Sequence, residues 1–103
     1  MGTRKYNPNR MKRRKTALYR GRKQRPCVWC GKMLWKHEAT IEHMKPKAEG
    51  GSDIIDNLNV SCLKCNNARG NFMVRVYKGR ITREQAEQEF SKWVAAKQKR
   101  ERS

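Results

Sequence analysis

The chain has 103 residues and a mass of 12.2 kDa, enough for one domain, and its 34% charged residues and mean hydropathy of −1.11 leave it only a small core. Its 26 Lys+Arg against 9 Asp+Glu give a formal net charge of +17, which calls for a polyanionic partner. No apolar run approaches the ~18 residues of a transmembrane helix, and the first residues lack the apolar stretch of a signal peptide. The expectation is therefore no membrane partner, a cytoplasmic setting, and four cysteines with a role other than disulfide pairing.

In chain order, the first feature is a basic block. Residues 1–37 hold half of the Lys+Arg and no acid. Such a block repels itself, and Lys and Arg gain sequence-independent affinity by neutralising phosphates. Between Tyr6 and Arg25 only Met11, Ala17, Leu18 and Tyr19 could line an apolar face, too few for a membrane-surface helix. Residues 1–25 are predicted to be a flexible basic arm, turning at Asn7-Pro8-Asn9 and broken at Gly21. Within it, Arg13, Arg14 and Lys15 are candidate nucleic-acid phosphate contacts, so binding should weaken with salt at about 0.9 per neutralised phosphate on a log–log plot.

Compact structure is expected from Pro26, as a domain over residues 26–80. The pattern predicts a turn at Cys27–Gly31, a strand over Met33–Lys36, an extended stretch Ala39–Met44 stopped by Pro46, a Gly50-Gly51 loop, and a returning strand Leu58–Ser61. Helix follows, and Phe72–Tyr77, which fits strand or helix periodicity, is assigned to its continuation. Over residues 81–103, Thr82-Arg-Glu-Gln85 is a capping box, and Ala86, Phe90, Trp93, Val94 and Lys97 recur at helical spacing, so an amphipathic helix should run to about Lys97. Trp29 and Trp35 are expected in the core, and His37 at an exposed strand end.

Cys27-Val-Trp-Cys30 and Cys62-Leu-Lys-Cys65 are two Cys-x2-Cys pairs, the spacing of a tetrahedral zinc held by four thiolates. A single pair would fit a redox motif, but a second copy without a strand-and-crossover pattern does not. Four thiolates leave no open coordination position, so this Zn2+ would be structural, and it lowers the net charge from +17 by two, to about +15. It would also staple both ends of the segment between the pairs.

Inside that staple, Ile41 to Gly70 runs IEHMKPKAEGGSDIIDNLNVSCLKCNNARG. Glu42-His43, Pro46, Gly50-Gly51, Asn57-Leu58, Cys62-x2-Cys65, Asn66 and Arg69-Gly70, with the first Cys pair and Gly31 ahead of them, resemble the HNH endonucleases of the ββα-metal fold. The likeness depends on order and spacing together and covers roughly residues 26–71. It implies an α+β fold: a small ββα-metal domain stapled by zinc, between a basic arm and a carboxy-terminal helix. It also implies that His43 activates water, that Glu42 and Asn66 ligate a catalytic Mg2+ or Mn2+, and that Asn57 braces the loop and orients the histidine. Arg69, one helical turn beyond Asn66, would contact a phosphate oxygen.

Elementary chemistry agrees with those roles. Phosphodiester hydrolysis needs a base for water, a hard cation and positive groups on the backbone. Imidazole is the side chain that accepts a proton near neutral pH, and a carboxamide oxygen is a hard ligand. Adjacent residues of a regular strand face opposite ways, so Glu42 and His43 should act from a bent strand end or on different sides of the phosphate. Glu at this position, where Asp is usual in the family, adds a methylene that can shift a metal by about an ångström.

The resemblance implies a metal-dependent DNA endonuclease working through the minor groove, nicking one strand as a monomer, in phage or bacterial DNA processing, with phage packaging proteins among its partners. The alternatives are a non-catalytic zinc-ribbon DNA- or RNA-binding protein, or a homing or restriction-type nuclease with the same chemistry.

Overall fold

A computed structural model describes residues 8–102. The architecture is α+β: two antiparallel hairpins and three helices. Helix α1 spans Pro8–Tyr19, strand β1 Gln24–Pro26 and strand β2 Met33–Trp35. Strand β3 spans Thr40–His43, strand β4 Leu58–Ser61, helix α2 Leu63–Tyr77 and helix α3 Arg83–Arg102. Strand β1 pairs with β2, and β3 with β4 in the register Thr40↔Ser61, Ile41↔Val60, Glu42↔Asn59 and His43↔Leu58.

The expected flexible arm is corrected over residues 8–25. Asn7 lies outside the described residues, but Pro8 opens a helix instead of a turn, and a proline suits a first helical position because its missing N–H would have no intrahelical partner. The helix ends where Arg20 and Gly21 take positive φ, 47° and 76°. Leu18 and Tyr19, the residues too few for a membrane face, enter the core at 6% and 2% exposure. The Tyr19 hydroxyl donates to the Leu34 carbonyl at 3.0 Å, and Arg25 Nη1 donates to the Leu18 carbonyl at 2.6 Å. Ordered structure thus begins well before Pro26, and Gln24–Pro26 form an edge strand against β2 that the pattern did not announce.

The core cluster comprises Leu18, Tyr19, Leu34, Ala39, Leu58, Val60 and the four cysteines. Trp29, partly buried, packs against it, whereas Trp35 is 45% exposed, contrary to the expected core position. With so few large apolar residues inside, the cysteines do double duty as core and as metal ligands.

The loop between β3 and β4 is shaped by a close approach. A Cβ on Gly51 would stand 1.8 Å from the Lys45 carbonyl oxygen, so only glycine lets the chain fold back there. Gly50 before it has φ of 85°. A 3₁₀ turn, Lys47–Glu49, precedes this pair, and its Glu49 is tied to the helices by Tyr77 Oη at 2.8 Å and Arg83 Nη2 at 2.6 Å.

Helix α2 runs unbroken through Phe72–Tyr77, as the sequence led us to expect. The capping box at the start of α3 is formed in both directions: Gln85 N donates to Thr82 Oγ1 at 3.0 Å, and Thr82 N donates to Gln85 Oε1 at 2.9 Å. Helix α3 continues past Lys97 to Arg102. It packs on α2 and on Trp29 through Phe90, whose ring meets Trp29 edge-on at 5.3 Å and Phe72 at 6.3 Å.

The burial of the α1 end gives a direct expectation. Tyr19→Ala should lower stability by about 3–5 kcal/mol, the usual cost of truncating a buried aromatic, read as a shift in denaturant midpoint. A flexible arm would give no shift.

Candidate active site and zinc centre

The four cysteines converge. Cys27, Cys30, Cys62 and Cys65 are all buried, and their sulfurs lie within 4.8 Å of one another. Tetrahedral zinc with Zn–S of about 2.3 Å needs sulfurs about 3.8 Å apart, and the Cys30–Cys62 sulfur separation is 4.0 Å. No pair is joined as a disulfide. The donor set therefore fits a structural zinc.

Local backbone explains why the sulfurs meet. Around the first pair, Gly31 N donates to the Cys27 carbonyl at 3.0 Å with Gly31 at φ 80°, and Cys27 N donates to the Lys32 carbonyl at 2.8 Å. Val28 N donates to the Val60 carbonyl at 2.9 Å, which docks that turn on β4. In the second pair Cys62 is the N-cap of α2, its sulfur accepting from Cys65 N at 3.4 Å.

Lys97 completes the centre from α3. It is 2% exposed, its Nζ donates to Cys30 Sγ at 3.3 Å, and Glu101 pairs with it at 2.8 Å. Gln98 Nε2 donates to the Cys30 carbonyl at 2.8 Å. Burial pushes the Cys62 and Cys65 thiols up. Burial also opposes ionisation of Cys30, yet hydrogen bonds from the Lys32 backbone, Lys97 and the neighbouring thiols hold it down to about 7. An ammonium beside a zinc–thiolate group offsets its negative charge, and the sequence offered no sign of this because Lys97 lies 67 residues from Cys30.

Next to this centre, β3 and α2 line an open cleft of about 450 Å³ bordered by Glu42, His43, Pro46, Asn66, Arg69 and Gly70. Strand β3 keeps regular pairing up to His43, its last residue, with no bulge. Glu42 and His43 accordingly take different partners.

Glu42 is 6% exposed and both its carboxylate oxygens are engaged. Oε1 accepts from Arg69 Nη1 at 2.7 Å. Oε2 receives Asn66 Nδ2 at 3.1 Å, Trp29 Nε1 at 3.3 Å and Ser61 Oγ at 3.4 Å. Arg69 also donates to the His43 and Met44 carbonyls at 3.4 and 3.2 Å and lies 5.0 Å over the Trp29 ring. Trp29 is thus part of the wall behind the acid, a role its place inside Cys-Val-Trp-Cys did not disclose.

His43 Nε2 lies 2.7 Å from Asp53 Oδ1, which Lys47 also approaches at 3.3 Å. The His43 hydrogen bond, with help from Lys47 and against partial burial, holds the Asp53 carboxyl below the usual carboxylate range. The side-chain partner of the His43 ring is therefore Asp53 and not Asn57. Asn57 braces the loop instead: Oδ1 accepts from Lys45 N at 2.8 Å, and Nδ2 donates to the Ser52 and Lys45 carbonyls at 2.8 and 3.1 Å. A signal for Asp53 did exist, since it is the first acid after the glycine pair, ten residues beyond His43, inside a hairpin that folds back on itself.

Of the candidate DNA contacts, Arg13 and Lys15 sit on α1, Arg13 exposed and Lys15 half-buried beside Lys36. Arg14 instead turns inward, its Nε donating to the Asp53 carbonyl at 2.5 Å. His37 is exposed, as expected.

The zinc reading is open to a quantitative check. The purified chain should carry one zinc ion per molecule by atomic emission, and its removal by a strong chelator should abolish cooperative unfolding. Lys97→Met should weaken zinc retention roughly 10–100-fold in chelator competition. Unchanged retention would reduce Lys97 to a packing residue.

No curated protein matches the chain. The family model for HNH endonuclease, however, matches residues 27–72, the segment that begins at the first zinc-type cysteine and ends one turn beyond Arg69. By that match residues 27–72 carry an HNH endonuclease domain, whose four clustered cysteines stand beside the cleft bordered by Glu42, His43 and Asn66.

Proposed function

We propose that the protein is a metal-dependent DNA endonuclease whose site is the cleft between β3 and α2, with His43 as the base. The observation that carries this reading is the meeting of Glu42, His43, Asn66 and Arg69 on one cleft from two separate sequence segments. Strand β3 supplies the acid and the histidine, the start of α2 supplies Asn66 and Arg69, and the Asn57 brace closes the loop between them.

The chemistry follows from the residues. His43 takes a proton from water as the water oxygen bonds to phosphorus, and the leaving oxygen departs with the electrons of the broken P–O bond and collects a proton from solvent. Glu42 and the Asn66 carboxamide would hold one Mg2+ or Mn2+, hard cations suited to oxygen donors and to several retained waters. That ion, when bound, would neutralise charge on the phosphate and the leaving oxygen. Asn66 turns its nitrogen to Glu42 here, so ion binding requires the carboxamide to present its oxygen and Arg69 to share Glu42 Oε1. Arg69 already borders the cleft, where a guanidinium can pair with phosphate. Arg13 and Lys15 would add backbone contacts from α1. A single site per chain would nick one strand, across the minor groove, in phage or bacterial DNA processing.

One observation favours a second reading, a non-catalytic zinc protein that grips nucleic acid. Glu42 is satisfied by four protein donors, as a purely structural acid would be. Supercoiled plasmid separates the two. The protein should convert it to open circles in Mg2+ or Mn2+, with EDTA stopping the reaction, and His43→Ala should slow nicking by about 10²–10⁴-fold while keeping zinc and DNA affinity. Intact plasmid in every metal, or equal nicking by the variant, would sink the catalytic assignment.

Gly70 gives an independent test of where DNA lies. A Cβ there meets nothing within 4 Å and would project into the cleft. Gly70→Ala should raise stability by about 0.5–1 kcal/mol, since alanine is the better helix former. It should nonetheless cut nicking by up to about 10²-fold if the strand passes over this bare stretch of α2. A stabilised variant with full activity would move the DNA elsewhere.

A further inference from the structure

We infer that Asp53 is a positioning residue for His43, fixing the ring so that Nδ1 faces the reacting water. The inference rests on the endonuclease reading for its purpose, but its geometry stands independently.

An ionised carboxylate only accepts hydrogen bonds. The 2.7 Å contact between Asp53 Oδ1 and His43 Nε2 therefore places the ring proton on Nε2 and leaves Nδ1 as the lone-pair nitrogen. A base needs that lone pair in a fixed direction. An isolated imidazole on the last residue of a strand would share its proton between two nitrogens and turn about its side-chain bonds, and each departure from alignment lowers the rate.

Asp53 can hold the ring because its own loop is held from several sides. The Asp53 carbonyl accepts from Arg14 Nε on α1, the preceding Ser52 carbonyl accepts from Asn57 Nδ2, and Lys47 Nζ stands 3.3 Å from the same Oδ1 that contacts the ring. Gly51, crowded against the Lys45 carbonyl, sets the path of the chain into Ser52. His43 and Asp53 are about one-fifth exposed, so the pair sits at the cleft edge, sheltered but reachable by water. The orienting task attached to Asn57 thus divides in two: Asn57 braces the loop backbone, and Asp53 carries the constraint to the ring.

Nitrogen-15 NMR of the full zinc-loaded chain, under alkaline conditions where imidazoles are neutral, reads the ring directly. His37, the other histidine, is removed by His37→Gln for assignment. His43 should appear as the Nε2–H tautomer. Asp53→Ala should shift it toward a mixture, while Lys47→Ala, which touches the same oxygen, should leave it in place. In plasmid nicking, Asp53→Ala should lower kcat on the order of 10²-fold with KM nearly unchanged, and Asp53→Asn, which retains a weaker acceptor, should fall between the two. Zinc content and thermal midpoint identify any misfolded variant, and Asp53→Asn then carries both readouts. A wild-type tautomer and wild-type kcat in the variant that folds would overturn the inference. If instead His43→Ala nicks normally, the endonuclease reading fails, while the NMR result still decides whether Asp53 holds the ring.

Discussion

Everything in this protein hangs on bringing residues 27–30 against residues 62–65. The chain cannot do this by burial alone, because its core is a handful of medium-sized side chains and four cysteines. A tetrathiolate metal would supply the missing stabilisation and fix the two Cys pairs against each other. Strand β4 runs directly into the second Cys pair and carries the partner of β3, so the metal sets the hairpin. The hairpin in turn places Glu42 and His43 beside the first turns of α2.

Within that frame Glu42 and His43 of β3 lead different lives. Glu42 is drawn inward to a wall of donors: an indole, a hydroxyl, a carboxamide and a guanidinium. His43 is held at the rim by a carboxylate from the opposite end of the loop. A regular strand forces this divergence, because neighbouring side chains leave opposite faces. What unites them is α2, whose Arg69 binds the acid side chain and also the carbonyls of His43 and Met44.

Much of this was legible in the sequence, and for identifiable reasons. The Cys pairs, the glycine pair, Asn57 and the capping box are each local patterns with a strict backbone consequence, and the strand Leu58–Ser61 and the continuation of α2 were bounded by such patterns. Legibility failed where a residue's role is set by something distant. Leu18 and Tyr19 looked like isolated apolar residues in a basic tail, because the Leu34 carbonyl that receives the tyrosine hydroxyl is not visible from the tail. Trp35 looked like core because it is large, yet β2 has a single buried position, Leu34. Asp53, Lys97 and the inward turn of Arg14 are all pairings across folded distance. The family resemblance singled out Glu42, His43, Asn66 and Arg69, which do border one cleft, but not the residues that stand behind them.

The lysine over Cys30 ties the carboxy-terminal helix to a residue 67 positions earlier in the chain. Lys97 meets the Cys30 sulfur, and Gln98 meets the Cys30 carbonyl, whose direction is set by the folded turn. Cys30 is thus held from two sides, by the cysteine cluster and by α3, so whatever loosens the carboxy-terminal helix also loosens the centre.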